Sequence, residues 1–567
     1  VNNTLHESAC NPQAFTEEIQ KYAFAIDREH KHTILPNDFG FTLETNIDSI
    51  LCTCKPKIQL KKLLNVATNN APVICYQSCP RVLFTAFLRQ LRDSADISPV
   101  QPDIKQGYVQ YCNDFFNTEI EPLLRDFTYD VDDWMDHITT LNKQLEVLEF
   151  YNDYTAGKRR LDKCTTGYTL FAKKEKQILT FEQNGKLKYP KCRAISACPP
   201  VVKWVGGPVV LALEKLFHGK LNGYKIGHNG KPMKNWVDIE EMTAGHLNQG
   251  FDKVIDIDGS AWDSTQKHHM RTLPHIIYNW LVDNGKIHHV DGEQFRLVMT
   301  ERHRNLTAKA FILGKSYVVF RALIDSTTFS GSPNTTFDNT IANLVTNHYT
   351  LYLYGWNFDD YKLACNGDDT DIKALRVPPD LRNHIDFVWR GLGLIPKMIN
   401  IGDISISSYC STHTLAWQEY GRYKCKIVRQ LDRMNPLAHW SESALHLSKG
   451  QLKQYYLDLK QSYEYWTAEM PIYHDYAIAF KEMADRIPDE PKPMTSGKPK
   501  MRFGNKPIEL PDYDEKGLFR KSPAKPPDYV VKDFLLQKYG LLNIDIRGHL
   551  SSLTNHVLYS STSEPLA

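Results

Sequence analysis

No stretch of this chain approaches the roughly 18 consecutive apolar residues that a membrane-spanning helix needs, so none is expected. Charge of one sign is missing too. The formal net charge is +2 over 567 residues, which does not announce a nucleic-acid binder, although a small total can conceal one basic channel. The opening VNNTLHESAC has neither a basic leader nor an apolar core, which argues against a secretory signal. It also has no initiator Met, so the chain reads as a piece of a polyprotein or an expressed fragment. Cysteine is sparse and scattered. CYQSC at Cys75 and Cys79 could meet a zinc knuckle's spacing, but the CTC at Cys52 and Cys54 beside it is irregular, so thiols kept reduced are expected over a structural zinc.

What remains is ordinary for a folded protein. Apolar residues make up 42% and charged residues 24%, enough chain for several domains or one multi-lobed body. Residues 108–154 carry apolar side chains three and four apart and predict helices. A basic island follows, with GKRR at 157–160, FAKKEKQ at 171–177 and KLKYPKCR at 186–193. FDKVIDIDGS predicts a short buried strand from 251, and HHMRTLPHIIYNWLV a helix after it; acids at the end of such a strand sit where α/β sites commonly lie. Residues 428–480 again have helical spacing. The tail from 486 has too many prolines for a packed helix and, between 491 and 525, nine Lys/Arg against four Asp/Glu, so it predicts an extended segment. Its apolar end, VVKDFLLQKYGLLNIDI, is expected to pack back.

Four acidic residues stand out. Asp258 closes a predicted strand, Asp263 follows in DIDGSAWDS, and Asp368 and Asp369 occupy the turn of a predicted hairpin in LACNGDDTD. Carboxylates on adjacent rigid strands could hold two Mg²⁺ ions about 4 Å apart for phosphoryl transfer. A capped turn and an N-cap at Asp263 explain the same residues structurally, and the local strings do not choose. Between them, Ser330 and Gly331 open a loop before a helix that carries Thr335 and Asn339 on one face. Asn does not favour helix interiors, so Asn339 implies a hydrogen-bonding task or an internally satisfied amide.

Taken in order, these strings resemble the viral RNA-dependent RNA polymerases of positive-strand RNA viruses, and within them the tombusvirus-like and flavivirus-like assemblage. The resemblance runs over residues 170–412, about two-fifths of the chain. The family's Asp-x₄-Asp falls on Asp258 and Asp263, and SAWDSTQ is similar to pestivirus enzymes. Its Ser-Gly-x₃-Thr-x₃-Asn falls on Ser330, Gly331, Thr335 and Asn339, and its Gly-Asp-Asp on Gly367, Asp368 and Asp369. FAKKEK and PKCRAI resemble the basic motif, which would place triphosphate binding on Lys173, Lys176, Lys191 and Arg193. GLGLIPKM would supply a catalytic lysine at Lys397, and SSYCS resembles the primer-grip turn with Tyr409-Cys410 in place of Phe-Cys.

The resemblance implies an α+β right hand. Residues 1–150 would form an N-terminal extension and part of the fingers, 151–250 the fingers with the basic motif through which NTPs arrive, and 251–290 a palm with a small antiparallel sheet. An insertion of fingers or palm (291–325), more palm (326–410), a helical thumb (411–485) and the proline-rich segment packed on the body or partly mobile (486–567) would follow. It further implies template-directed transfer of ribonucleotides to an RNA 3′-hydroxyl with release of pyrophosphate, replicating a viral genome. Asp258, Asp368 and Asp369 would bind two Mg²⁺ ions, with Mn²⁺ as a substitute, and Asp263, Ser330 and Asn339 would read the ribose. Expected partners are template and nascent RNA, NTPs and other viral replication proteins at a host membrane, with the chain in host cytoplasm near such complexes. A reverse transcriptase, a template-independent nucleotidyltransferase and an inactive RNA-binding scaffold are the rival readings. The first would show an aromatic before its paired acids, the second needs no long ordered motif set, and the third would have lost metal acids.

Overall fold

The computed structural model describes residues 100–158, 167–173, 193–221, 236–430, 447–488 and 524–539, short gaps apart, with short strands elsewhere. In chain order the strands that build the two larger sheets and the later hairpin are β1 (Ala25–Asp27), β2 (His32–Ile34), β3 (Phe41–Thr45), β4 (Tyr168–Ala172), β5 (Ala194–Ala197), β6 (Lys253–Gly259), β7 (His303–Ile312) and β8 (Lys315–Asp325), then β9 (Tyr361–Asn366), β10 (Asp369–Ala374), β11 (Pro396–Asp403), β12 (Thr412–Glu419) and β13 (Arg422–Arg429). The helices that frame the site are α1 (Pro102–Phe115), α2 (Trp236–Asn248), α3 (Thr272–Asp283), α4 (Thr335–Leu353), α5 (Lys449–Thr467), α6 (Tyr473–Asp485) and α7 (Asp528–Tyr539). The class is α+β, with helices packed on small, mostly antiparallel sheets.

The sheet that carries the acids has the order β9-β10-β6-β11. β6 lies in its middle, antiparallel to both neighbours, with Ile255 opposite Ile372 on one side and Ile401 on the other. A central strand is buried on both faces, and Val254, Ile255, Asp256 and Ile257 are all buried. Only at its end does the chain emerge, and there it places Asp258.

A larger sheet runs β1-β2-β3-β8-β7-β4-β5. It joins the N-terminal strands to the hairpin of residues 303–325 and to the strands that flank the basic island. Only β7 against β4 is parallel among its strand pairs. Helix α4 spans the main core, buried from Phe337 through Leu351, and Tyr108 of α1 packs edge-on against its Tyr349. Nearly all-round burial means that the many polar residues of α4 must find protein partners.

The stretch expected as a helical thumb begins instead with a β-hairpin. β12 and β13 pair from Thr412–Arg429 to Glu419–Arg422 around a two-residue turn, Tyr420-Gly421. Both turn residues take positive φ, 49° and 73°, the twist that a tight hairpin requires. The helical spacing therefore begins later, in α5 and α6. Buried Leu415 and Val428 of the hairpin share a core with Tyr455, Phe480 and the α7 residues Val531, Phe534 and Leu535. No helix among the described residues is long and apolar enough to cross a membrane. Cys52, Cys54, Cys75 and Cys79 lie outside the described residues, while Cys112, Cys198, Cys365, Cys410 and Cys425 are free thiols.

Candidate active site

Asn366 pairs with Asp369 across a two-residue loop, so Gly367 and Asp368 form the turn between β9 and β10. Gly367 takes φ 62°, the conformation that a tight hairpin asks of its first loop residue and that glycine adopts without strain. The turn leaves Asp368 and Asp369 exposed, while Thr370, Asp371, Ile372 and Lys373 are buried behind them. Asp258 and Asp369 thus stand at the ends of neighbouring antiparallel strands.

The charges in this cluster feel one another. The Asp368 carboxyl is held above the usual carboxylate range, first by crowding that strips water from it and then by the charge of Asp258, while Arg193 opposes the shift. Lys397, on β11, points its ammonium at Asp258 with Nζ 2.7 Å from Oδ2. Both members of that pair are well exposed, so the contact marks proximity more than stability. Behind the rim, Asp371 is paired with the buried Lys373. Asp256 is pushed up to about 7, by burial above all and then by Asp371 and Asp258, with Lys538 of α7 opposing.

A second cluster adjoins the first. Asn339 Nδ2 donates to Asp263 Oδ1 at 2.7 Å, bringing the two expected sugar readers together. The amide oxygen of Asn339 is buried and has no hydrogen-bond partner, leaving an acceptor of the kind a ribose hydroxyl could satisfy. Thr335 opens α4, and its hydroxyl donates to the carbonyls of Phe329 and Ser332 at 2.6 and 2.9 Å. It therefore fixes the loop rather than lining the pocket by itself. Below that loop, Asn334 and Tyr278 both donate to Asp338 at 2.6 Å, and Arg271 lies 3.4 Å from it.

The third cluster is basic. The Lys173 N–H donates to the Arg193 carbonyl at 2.6 Å, at the end of the β4–β5 pair, so these two residues are neighbours. Ser330 Oγ donates to the Ala194 carbonyl at 3.2 Å and Gly331 bridges to Ala197, which seats the Ser-Gly loop on the strand that starts beside Arg193. A Cβ on Gly331 would lie 2.3 Å from the Ser196 carbonyl oxygen, so only glycine fits. Lys191 lies outside the described residues, and the side chain of Lys176 does too.

Two residues that the sequence motifs do not include hold the acidic turn. Thr340 Oγ1 accepts the Gly367 N–H at 2.8 Å, and Asn343 Nδ2 donates to the Gly367 carbonyl at 3.0 Å and to Thr370 Oγ1 at 2.8 Å. A sequence signal exists for Asn343 alone: Asn339, Asn343 and Asn347 recur every fourth residue, a row of poor helix formers on one helical face.

Oxygen donors suit a hard divalent cation, and Mg²⁺ typically takes one or two carboxylates plus substrate phosphates and water rather than an all-protein cage. Among the described residues no group of three or more His, Cys, Asp or Glu side chains is gathered so as to hold a metal ion by itself. Asp258, Asp368 and Asp369 supply oxygen donors of that chemistry at adjoining strand ends, and one or two of them with substrate phosphates and water would match that mode of binding.

Residues 128–381 match the family model described as viral RNA-dependent RNA polymerase. The match takes in Asp258, Asp263, Asn339 and the Gly367–Asp369 turn, and leaves Lys397 and the hairpin of β12 and β13 beyond its end. No curated protein matches the chain.

Proposed function

We propose how the viral RNA-dependent RNA polymerase domain that this chain carries over residues 128–381 does its work. The chain is an RNA-directed RNA polymerase and joins ribonucleotides from NTPs on an RNA template. On this reading the β9-β10-β6-β11 sheet is the palm, the larger sheet belongs to the fingers, and the hairpin with α5 and α6 is the thumb. Asp258, Asp368 and Asp369 would hold the divalent ions that this family generally uses. Bound there, Mg²⁺ would activate the attacking 3′-hydroxyl and take up charge on the phosphates.

The chain's own groups do the rest. Arg193, whose charge reaches Asp368, and its backbone neighbour Lys173 would neutralise the incoming triphosphate, with Lys176 and Lys191 assigned to the same channel. Lys397, already beside Asp258, is placed to balance charge at the leaving phosphates. Asp263 and Asn339 read the ribose, with the loop of Ser330, Gly331 and Thr335 holding the pocket's wall. The observation that carries this reading is that strand register sets the β6 acid Asp258 beside the β9–β10 turn, where the charges of Asp258 and Arg193 both act on the Asp368 carboxyl. Other viral replication proteins at a host membrane, in host cytoplasm, are proposed partners and setting.

Two measurements probe the roles. Removing a neutral hydrogen bond to a sugar hydroxyl costs about 0.5–1.5 kcal/mol, so Asn339→Ala is expected to narrow the preference for NTP over dNTP about threefold to tenfold. Single-nucleotide incorporation reads this directly; equal losses for both sugars contradict the assignment. Arg193→Lys keeps the charge but loses the fixed fork that grips phosphate. It should raise KM for all four NTPs alike and slow incorporation, because phosphate contacts carry no base code. Unchanged kinetics would make Arg193 a surface residue, and loss confined to RNA binding would move it to the template path.

A further inference from the structure

The backbone of Gly367 is gripped on both sides by one helix. Its N–H is taken by Thr340 Oγ1 at 2.8 Å, and its carbonyl accepts from Asn343 Nδ2 at 3.0 Å. In an ordinary two-residue hairpin loop those groups face water or the partner strand. The same Asn343 amide reaches Thr370 Oγ1 at 2.8 Å and the Asp369 carbonyl at 3.4 Å, so it touches the residues before and after Asp368. Thr370 Oγ1 returns a bond to Asn343 Oδ1 at 3.1 Å. Asn347, one turn further, donates to Asn343 Oδ1 at 2.7 Å and so fixes the amide's orientation. Thr340, Asn343, Asn347 and Thr370 are buried, with Asn343 fully so and Thr340 nearly so, while the turn they hold lies at the surface. Asp368, by contrast, is exposed.

One turn before Asn343 on the same helix face sits Asn339, bound to Asp263. A single rigid helix therefore grips both the candidate sugar pocket and the acidic turn.

We propose that Thr340 and Asn343 are positioning residues for the reaction: they hold the Gly367–Asp369 turn so that the carboxylates of Asp368 and Asp369 meet the divalent ions, without themselves touching substrate. This rests on the polymerase reading above. Their partners are backbone atoms and a threonine hydroxyl, so their effect reaches chemistry only through where the turn lies. A misplacement of about 1 Å at a reacting centre can cost about a hundredfold in rate. Groups that orient metal ligands from behind typically change metal affinity or activity about tenfold to a hundredfold.

The test uses the full chain with three substitutions. Thr340→Val keeps the shape and deletes the acceptor for the Gly367 N–H; Thr340→Ser keeps the acceptor; Asn343→Ala deletes the amide. Equilibrium Mn²⁺ binding is followed by water proton relaxation, with Asp368→Ala defining loss of the site, beside kcat and KM for NTP and dNTP. Thr340→Val and Asn343→Ala should weaken Mn²⁺ binding about tenfold and lower kcat about a hundredfold, with KM and sugar preference little changed. Thr340→Ser should stay within about threefold of the parent in both readouts. Parental Mn²⁺ affinity in Thr340→Val overturns the proposal. So does a loss of sugar preference like that of Asn339→Ala, or Thr340→Ser impaired as badly as Thr340→Val. Should Asn343→Ala fail to fold, the Thr340 pair decides alone, and a Thr340→Val that fails to fold overturns the proposal by making the contact one of stability. A parent with no templated synthesis would sink the polymerase reading, whereas the Mn²⁺ titration would still judge the clamp.

Discussion

Asp368→Ala should lower templated NTP incorporation by about a thousandfold or more while the chain melts within a few degrees of its parent. The two halves of that expectation have one cause. Asp368 stands on an exposed turn, yet its carboxyl is pushed up by lost hydration and by Asp258, so its ionised form is disfavoured where it sits. Deleting it relieves a like-charge contact and removes no core packing, which is why stability should hardly fall. On the proposed reading it also removes one of the oxygen donors that Asp258, Asp368 and Asp369 would offer a metal. Lys397 and Arg193 can balance charge there, but neither can hold a cation. Steady-state incorporation on a primed RNA, with a melting curve of the same preparation, checks both halves. A variant retaining more than about a tenth of the parent rate would remove Asp368 from the metal site.

Gly331→Ala should be nearly as damaging for a different reason. Its Cβ would lie 2.3 Å from the Ser196 carbonyl oxygen, 2.9 Å from that carbonyl carbon and 3.1 Å from the Ala197 Cα, all backbone atoms of β5. Backbone cannot swing aside as a long side chain can, so either the loop or the strand must shift. Overpacking of this kind costs about 1–3 kcal/mol. The functional loss should be larger than the stability loss, because the strand that must give way begins beside Arg193 and the loop leads into Thr335 and α4. About a hundredfold lower kcat/KM is expected, with a fall in melting temperature of several degrees. Gly367→Ala is the contrast: no heavy atom lies within 4 Å of its added Cβ, and the penalty there comes only from a φ of 62°. That penalty is about 1–2 kcal/mol for a residue with a Cβ. If Gly331→Ala left activity and stability at parental levels, the close seating of the loop on β5 would be wrong.

Much of this site is legible in the amino-acid sequence. The strand ending at Asp258 shows as a short apolar run that breaks into acids, and the turn at Gly367-Asp368 as a glycine after the alternating arm YKLAC. Asn339 stands out because asparagine in a helix interior needs a reason. Long-range pairing is another matter. Nothing local in FTLET tells that it pairs with Lys315–Asp325, far downstream in the chain. The hairpin of β12 and β13 is easily taken for part of a helical thumb, because the Leu and Tyr spacing that follows is stronger than the alternation in THTLAWQE and RYKCKIVR, which the Tyr420-Gly421 turn closes. Thr340 and Asn343 lie past the point where the motif of the resembled family ends, at Asn339, although the four-residue spacing of asparagines continues beyond it. Partners of a buried amide become visible only when the opposing turn is in place.

The central claim is that Asp258, Asp368 and Asp369 serve metal-dependent, template-directed RNA synthesis. The most direct measurement is incorporation of labelled NTPs on an RNA of defined sequence, in Mg²⁺, with the template present, absent or replaced by one of different sequence. The account predicts a product whose composition follows the template, which disappears without template or on chelation of Mg²⁺ and is lost in Asp368→Ala. Product of unchanged composition whatever the template, or undiminished synthesis by Asp368→Ala, would contradict it.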